Sequence, residues 1–272
     1  MTQYRSLLFV PGNLADRFEK ACQSGADLIC IDLEDAVGPS EKIKARNDVL
    51  DWLSRAEHKN VSLRINGLNT DEGQADIAAL QKSRLILPFI MIPKVATRQD
   101  IDILDEALPK SLGGFIAIIE SAEGLVHCEE IFSHNRVTIG MYGSIDYAAD
   151  VDCDQSWDTH LYARSRLIAA AAAFDVQLFD VPHIDVPNLE DCEATTRRAK
   201  ALGIQARAAI HPAQIGCIHA ALAPSQDEVN FAQKVIAADK ASNGNVGLMD
   251  GKFIEAPVVK KAKRVLAFGN ED

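Results

Sequence analysis

Glu120 closes the apolar run IAIIE (Ile116–Glu120), and Asp146 closes VTIGMYGSID (Val137–Asp146). Two carboxylates brought to one point, completed by waters and substrate oxygens, make an octahedral Mg²⁺ site, because Mg²⁺ seldom takes a full protein cage. The competing reading is helix-end charge: each acid precedes a helical stretch and would favour its dipole. Arg64 ends the otherwise apolar VSLRING (Val61–Gly67), and its planar fork suits bidentate capture of a carboxylate. A buried ion pair with Glu34 or Asp35 explains the same arginine, and the two roles are compatible. Lys94 follows Pro93 and invites either a Schiff base or contact with a phosphate or carboxylate, the preferred reading. His211 before Pro212 is either a base or, the preferred reading, a hydrogen-bonded positioning histidine. Pro11–Asn13 with Arg17 and Lys20 could cradle phosphates near a helix start; a solvated basic face accounts for them equally well.

These residues share one context. Eight short apolar runs each end in a charged or special residue: Leu7–Asn13, Asp27–Asp35, Val61–Gly67, Leu85–Lys94, Ile116–Glu120, Val137–Asp146, Val176–Pro182 and Ala206–Pro212. Helical stretches separate them, at Ala15–Ser24, Ser40–Ala56 (with Ser40 as N-cap), Asp71–Lys82, Arg98–Leu108, Leu125–Phe132, His160–Phe174 and Leu189–Leu202. Continuous apolar strands alternating with helices imply a parallel sheet buried on both faces. Eight such units predict an α/β fold, a (β/α)8 TIM barrel whose chemistry lies at the C-terminal ends of the strands. That mouth would gather Glu34, Asp35, Arg64, Lys94, Glu120, Asp146, Asp180 and His211.

The division expected is a catalytic barrel over residues 1–222 and a C-terminal helical lid extension over 223–272. In the second part, Gln226–Lys240 reads as an amphipathic helix, SNGNVGLMDG as turn chemistry, and Pro257–Phe268 as a final helix. The helix carrying Leu167–Phe174 is apolar on every face, which suggests burial between the barrel and something else, such as a partner subunit.

With 272 residues, 47% hydrophobic and 25% charged, the composition is that of a soluble globular protein. A net charge of −11 and a pI near 5.1 argue against nucleic acid or an anionic membrane as partner. Cys22, Cys30, Cys128, Cys153, Cys192 and Cys217 form no CxxC pair, so reduced thiols and a cytoplasmic location are expected. No run is long enough to span a membrane, and the chain opens on its first strand without a basic-then-apolar leader.

Taken in order, RSLLFVPG, CIDLEDAVGPSEKIKAR, LRING, MIPKV, IIESAEGL, YGSIDYAADV and IHPAQI resemble the citrate lyase β-subunit-like family of the HpcH/HpaI aldolase superfamily. Malyl-CoA and citramalyl-CoA lyases are among its relatives, and the likeness runs from Arg5 to about Leu266. The resemblance implies Mg²⁺ on Glu120 and Asp146, with Arg64 gripping the carboxylate of a 2-oxo acid. It implies an acyl-CoA thioester near Pro11, Arg17, Lys20, Lys94 and Ile210, His211 and Pro212. It also implies a homo-oligomer, a trimer or a multiple of three, in which the C-terminal tail covers a neighbour's site and supplies a catalytic acid. The family's tail motif reads roughly DGKMID-P; here DGKFIEAPVVKKAKRVL (Asp250–Leu266) puts Glu255 in place of the aspartate. Ala206 stands where the family often has glycine. The expected activity is Mg²⁺-dependent carbon–carbon cleavage of a citramalyl-CoA- or malyl-CoA-type thioester to an acyl-CoA and a 2-oxo acid, or the reverse condensation. Glu34 and Asp35 are expected to support Arg64, and Glu255 to act as base. The alternatives are a citrate lyase β subunit acting on a carrier-bound citryl thioester, or a non-catalytic ligand-binding relative.

Overall fold

The computed structural model describes residues 3–241, 247–249 and 252–268. Strands β1 (Ser6–Pro11), β2 (Leu28–Asp32), β3 (Val61–Arg64), β4 (Phe89–Ile92), β5 (Gly114–Ile119), β6 (Val137–Tyr142), β7 (Gln177–Asp180) and β8 (Ala206–Ala209) form a closed barrel in sequential order. All neighbours are parallel, and β1 closes the ring against β8 with Leu7 opposite Ala208. The runs are apolar throughout because each strand is covered on both faces: every residue of β2 is buried. The interior is filled by Leu7, Leu28, Cys30, Met91, Ile116, Ile118, Ile139, Met141, Phe179, Ala206 and Ala208, so the barrel is a packed core and not a pore.

The helices outside it are α1 (Phe18–Cys22), α2 (Lys42–Ser54), α3 (Asp71–Lys82), α4 (Arg98–Ala107), α5 (Ala122–Val126), α6 (Cys128–Phe132), α7 (Ser144–Val151), α8 (Leu161–Ala173), α9 (Leu189–Leu202) and α10 (Gln214–Leu222). Three boundaries depart from the sequence reading. The first helix opens as a 3₁₀ turn over Ala15–Arg17. Ser40 is not an N-cap but lies within a 3₁₀ turn, Pro39–Glu41, that precedes α2. The stretch expected to be one helix from Leu125 starts earlier and breaks at His127 into α5 and α6. Ser121 sets that start, its hydroxyl accepting from the Gly124 amide.

Within one chain, α8 buries only one face, through Ala163, Arg164, Leu167, Ala170 and Ala171. Ala169, Ala172 and Ala173 on the same helix remain exposed.

The chain divides into two compact units, 1–221 and 222–272. In the second, α11 (Gln226–Ala241) and α12 (Ala256–Phe268) pack around Ala232, Val235, Ile254, Val259 and Ala262. Short strands β9 (Gly247–Met249) and β10 (Lys252–Ile254) pair antiparallel there, an element that turn-rich composition concealed. Residues 242–246 and 250–251 of the turn segment lie outside the described residues. Among those described, no helix is long and apolar enough to cross a membrane.

Candidate active site at the barrel mouth

Asp32 is the last residue of β2 and is 1% exposed. Its Oδ1 accepts from Arg64 Nε at 2.6 Å and from the Glu34 amide at 2.8 Å; its Oδ2 accepts from Arg64 Nη2 at 2.6 Å and the Ala36 amide at 3.2 Å. One carboxylate therefore clamps the guanidinium and shapes the turn that carries the next two acids. Arg64 Nη1 lies 3.0 Å from Glu34 Oε2 and 3.8 Å from Asp35 Oδ2, and the guanidinium sits 5.0 Å from the centre of the Phe9 ring. Burial works against its charge, but the bond to Asp32 and the charges of Asp32 and Glu34 hold its pKa above the ordinary value. A guanidinium has five N–H donors; the hydrogen bonds to Asp32 occupy two of them, while Nη1 faces the Glu34 carboxylate as an ion pair.

Lys94 follows β4 with φ 54°, a left-handed conformation that is strained for a side chain with a Cβ. The conformation has a use: its amide donates to Glu120 Oε1 at 2.7 Å. Its Nζ lies 3.1 Å from Glu34 Oε1 and 4.0 Å from Asp35 Oδ1. Burial lowers the ammonium's proton affinity, but Glu34 and Asp35 more than offset that and raise it. A Schiff-base lysine needs the opposite shift, so this environment argues against the imine chemistry and for an electrostatic role.

Glu120 is 5% exposed and follows β5 directly. Burial pushes its carboxyl up to about 8, and the charges of Glu34 and Asp146 add to the rise. Asp146 is not at the strand end: β6 stops at Tyr142, and the acid lies in the first turn of α7. Gly143 fills the gap between them. A Cβ there would stand 2.5 Å from Glu120 Cβ and 2.6 Å from Oε2, so glycine is required for the glutamate to lie against this backbone.

A cavity of about 400 Å³ opens over these groups. Its charged side is Asp32, Asp35, Arg64, Glu120 and Asp146; Phe9, Ile118, Met141, Ile145, Val181 and Ile210 supply the apolar side. Pro11 also lines it. Glu34 and Lys94 join through the ion pairs just described. Other expected residues lie elsewhere. Asp180 is fully buried and turned to Arg164 of α8, whose Nε is 3.0 Å away. His211 and Pro212 are exposed and do not line the cavity; His211 Nδ1 accepts from the Ala213 amide at 3.1 Å, a turn-shaping contact. Arg17 and Lys20 are exposed at the start of the first helix. Glu255 belongs to the second unit, where its carbonyl accepts from Val258 and Val259 at the start of α12. Asp32 and Gly143 escaped sequence reading, although the close spacing of acids in IDLED was a signal for the first.

Five carboxyls (Asp32, Glu34, Asp35, Glu120, Asp146) thus surround two cations, Arg64 and Lys94. The excess of hard oxygen donors fits a divalent cation. Among the described residues no three or more His, Cys, Asp or Glu converge as a ready-made cage. That suits Mg²⁺, which binds through one or two carboxylates and keeps several waters.

A closed (β/α)8 barrel with its charged groups gathered at one mouth has the architecture of the TIM-barrel enzymes. Within that class, the chain belongs to the HpcH/HpaI aldolase/citrate lyase family, whose model matches residues 5–212. It is 34% identical to the citrate lyase subunit beta of Leuconostoc mesenteroides subsp. cremoris, over 98% of this chain and 93% of that protein. It is 30% identical to the L-malyl-CoA/beta-methylmalyl-CoA lyase of Cereibacter sphaeroides, covering 96% and 93%. Among solved structures it resembles the protein CitE from Mycobacterium tuberculosis in complex with magnesium, acetoacetate and coenzyme A. The TM-score is 0.87 at 28% identity, with 98% of each chain covered.

Proposed function

We propose that this protein is a Mg²⁺-dependent carbon–carbon lyase. It cleaves a 3-hydroxyacyl-CoA thioester of the citramalyl-CoA or malyl-CoA type to acetyl-CoA or another acyl-CoA and a 2-oxo acid, and it can run the reverse condensation. The observation that carries this reading is Glu120: a buried carboxyl, pushed up by burial and by Glu34 and Asp146, on the same cavity as a clamped Arg64. Such a group calls for a cation, and the guanidinium beside it for a carboxylate.

Glu120 and Asp146 hold the Mg²⁺, which when bound supplies Lewis acidity to the oxygen that becomes the oxo acid's carbonyl. Arg64 takes the substrate carboxylate with N–H groups not bonded to Asp32, and Asp32 keeps the fork from turning. Glu34 and Asp35 hold Arg64 and Lys94 in place. The apolar wall from Phe9 to Ile210 receives the thioester end and excludes water, with CoA extending past Pro11, Lys94 and the Ile210–Pro212 turn towards Arg17 and Lys20. Glu255, from the second unit of a neighbouring copy, removes the hydroxyl proton. The carbon–carbon bond breaks as the oxo group forms, its electron pair passes to the thioester enolate, and the enolate carbon takes the proton back. In the condensation the same carboxylate takes a proton from the acyl methyl group. Residues 223–272 act as a lid over a neighbour's barrel of residues 1–222, in a homotrimer or a multiple of it. The six free thiols support a cytoplasmic enzyme.

Its test is to incubate the protein with Mg²⁺ and diastereomers of citramalyl-CoA and malyl-CoA, with and without EDTA. EDTA-sensitive release of acyl-CoA and oxo acid is expected. A second reading, a citrate lyase β subunit acting on a carrier-bound citryl thioester, is favoured by the 34% identity to that subunit in Leuconostoc mesenteroides. Cleavage only when the thioester is carried by an acyl-carrier protein would select it.

A further inference from the structure

Lys42, the first residue of α2, is half-buried and, among the described residues, pairs with no carboxylate. Its Nζ donates to the carbonyls of Leu33 (2.8 Å) and Glu34 (2.6 Å) and to Asn66 Oδ1 (2.6 Å). An ammonium has three N–H groups, and each has found one acceptor. The acceptors lie on two different loops. Leu33 and Glu34 follow β2; Asn66 follows β3, two residues past Arg64.

The Asn66 end is itself anchored. Its amide and its Nδ2 both donate to Asp76 Oδ2, at 2.8 and 2.7 Å. Asp76 is 1% exposed, and its other oxygen bonds Arg46 Nε. Arg46 in turn donates to the Glu72 carbonyl at 3.1 Å. A buried polar chain thus runs from the body of α2 and α3 up to the two loops that end in the mouth, and Lys42 is the link that reaches both.

What Lys42 fixes is the backbone of Glu34. That glutamate's carboxylate holds Lys94 Nζ at 3.1 Å, and the Lys94 amide holds Glu120 Oε1 at 2.7 Å. Asp32 holds Arg64 by two bonds and also accepts from the Glu34 amide, so Arg64 has an anchor besides Glu34. The path from Lys42 therefore leads chiefly to the carboxylate of Glu120, by way of Glu34 and Lys94.

We propose that Lys42 is a positioning residue of this site, tying the β2 and β3 loops together so that Glu34 and Lys94 orient Glu120 for a divalent cation. The proposal rests on the functional reading above only in taking Glu120 as a metal ligand. Partners that orient a ligand from behind are worth about 10- to 100-fold in metal affinity or activity.

The experiment uses the full chain as Lys42→Met and as Lys42→Gln, with Lys44→Met as control. Lys44 stands on the same helix but is exposed and pairs with Asp48. Mn²⁺ binding is followed by electron paramagnetic resonance, urea unfolding reports the fold, and kcat and KM are measured with the best thioester. Both Lys42 variants are expected to weaken Mn²⁺ binding by about 10-fold and to lower kcat, while KM for the thioester moves less than kcat. Lys44→Met should match the unaltered protein. Unaltered Mn²⁺ affinity and kcat in either folded Lys42 variant would overturn the proposal; if Lys42→Met fails to fold, the polar Lys42→Gln decides. Should the unaltered protein bind Mn²⁺ yet cleave no thioester, the lyase reading falls and the Mn²⁺ comparison alone still judges Lys42.

Discussion

The Lys94 amide points at Glu120 Oε1, 2.7 Å away, because Lys94 is held at φ 54°. A residue with a Cβ pays about 1–2 kcal/mol for that conformation, and the reward is a fixed carboxylate. The usual ranking of substitutions should therefore invert here. Lys94→Gly should be more stable than Lys94→Ala by about 1 kcal/mol, measured by urea denaturation. An alanine variant more stable than the glycine variant would mean the strain is absent.

Gly143 makes the second contact with the same glutamate. Gly143→Ala would drive a methyl group to within 2.6 Å of Glu120 Oε2, so the carboxylate must move. A loss of about 10- to 100-fold in Mg²⁺ or Mn²⁺ affinity is expected, together with a lower unfolding midpoint, because the methyl also meets the Cβ of buried Glu120. Titration with Mn²⁺ beside a thermal melt separates the two effects.

Asp32 and Arg64 should respond differently to conservative change. Asp32→Asn leaves a buried guanidinium without its main counter-charge, and removing one partner of a buried pair costs about 3–5 kcal/mol. Arg64→Lys keeps the charge but loses the planar fork that spans both oxygens of Asp32. It should fold better than Asp32→Asn, yet bind pyruvate more weakly by about 10-fold or more in the presence of Mg²⁺. Calorimetric pyruvate titration and urea denaturation of both variants check this.

Much of the architecture could be read directly. Eight apolar runs were visible because parallel strands covered on both faces leave no polar alternation, and Glu120, Arg64 and Asp35 stood out as charges at their ends. Other features are set by register and backbone angle. Asp180 ends its strand as Asp32 ends β2, yet one turns to Arg164 in the barrel wall and the other to Arg64 at the mouth. Composition does not encode that choice. Nor does it encode the φ of Lys94, or the reach of Lys42 across to Asn66. The break at His127 was hidden because the residues on both sides suit a helix equally well.

Acid should destabilise the fold through His160. Its ring is buried: Nδ1 lies 2.6 Å from the Tyr142 hydroxyl, and Nε2 lies 3.0 Å from the Asp154 carbonyl. Burial, then the charge of Arg164, lowers its proton affinity below the ordinary value, and burial lowers that of His134 too. The unfolded chain therefore binds protons more readily than the folded one. This contribution is complete above the unfolded histidine pKa of about 6.5 and is lost as pH falls below it. From about pH 7.5 to 5 this histidine contribution to the unfolding free energy should decline, against an opposite slope from Glu120, whose raised carboxyl binds its proton more readily in the folded chain. A His160→Gln variant should show a shallower decline, and an unchanged slope would remove His160 from the explanation.

The most direct test of the lyase assignment is cleavage itself. Purified full-length protein is mixed with Mg²⁺ and each diastereomer of citramalyl-CoA and malyl-CoA, and released acyl-CoA and 2-oxo acid are followed with and without EDTA. Stoichiometric release of both products, abolished by EDTA and by Glu120→Gln, is the predicted result. No cleavage of any of these thioesters, free or carrier-bound, by folded protein that demonstrably binds Mg²⁺ would contradict it.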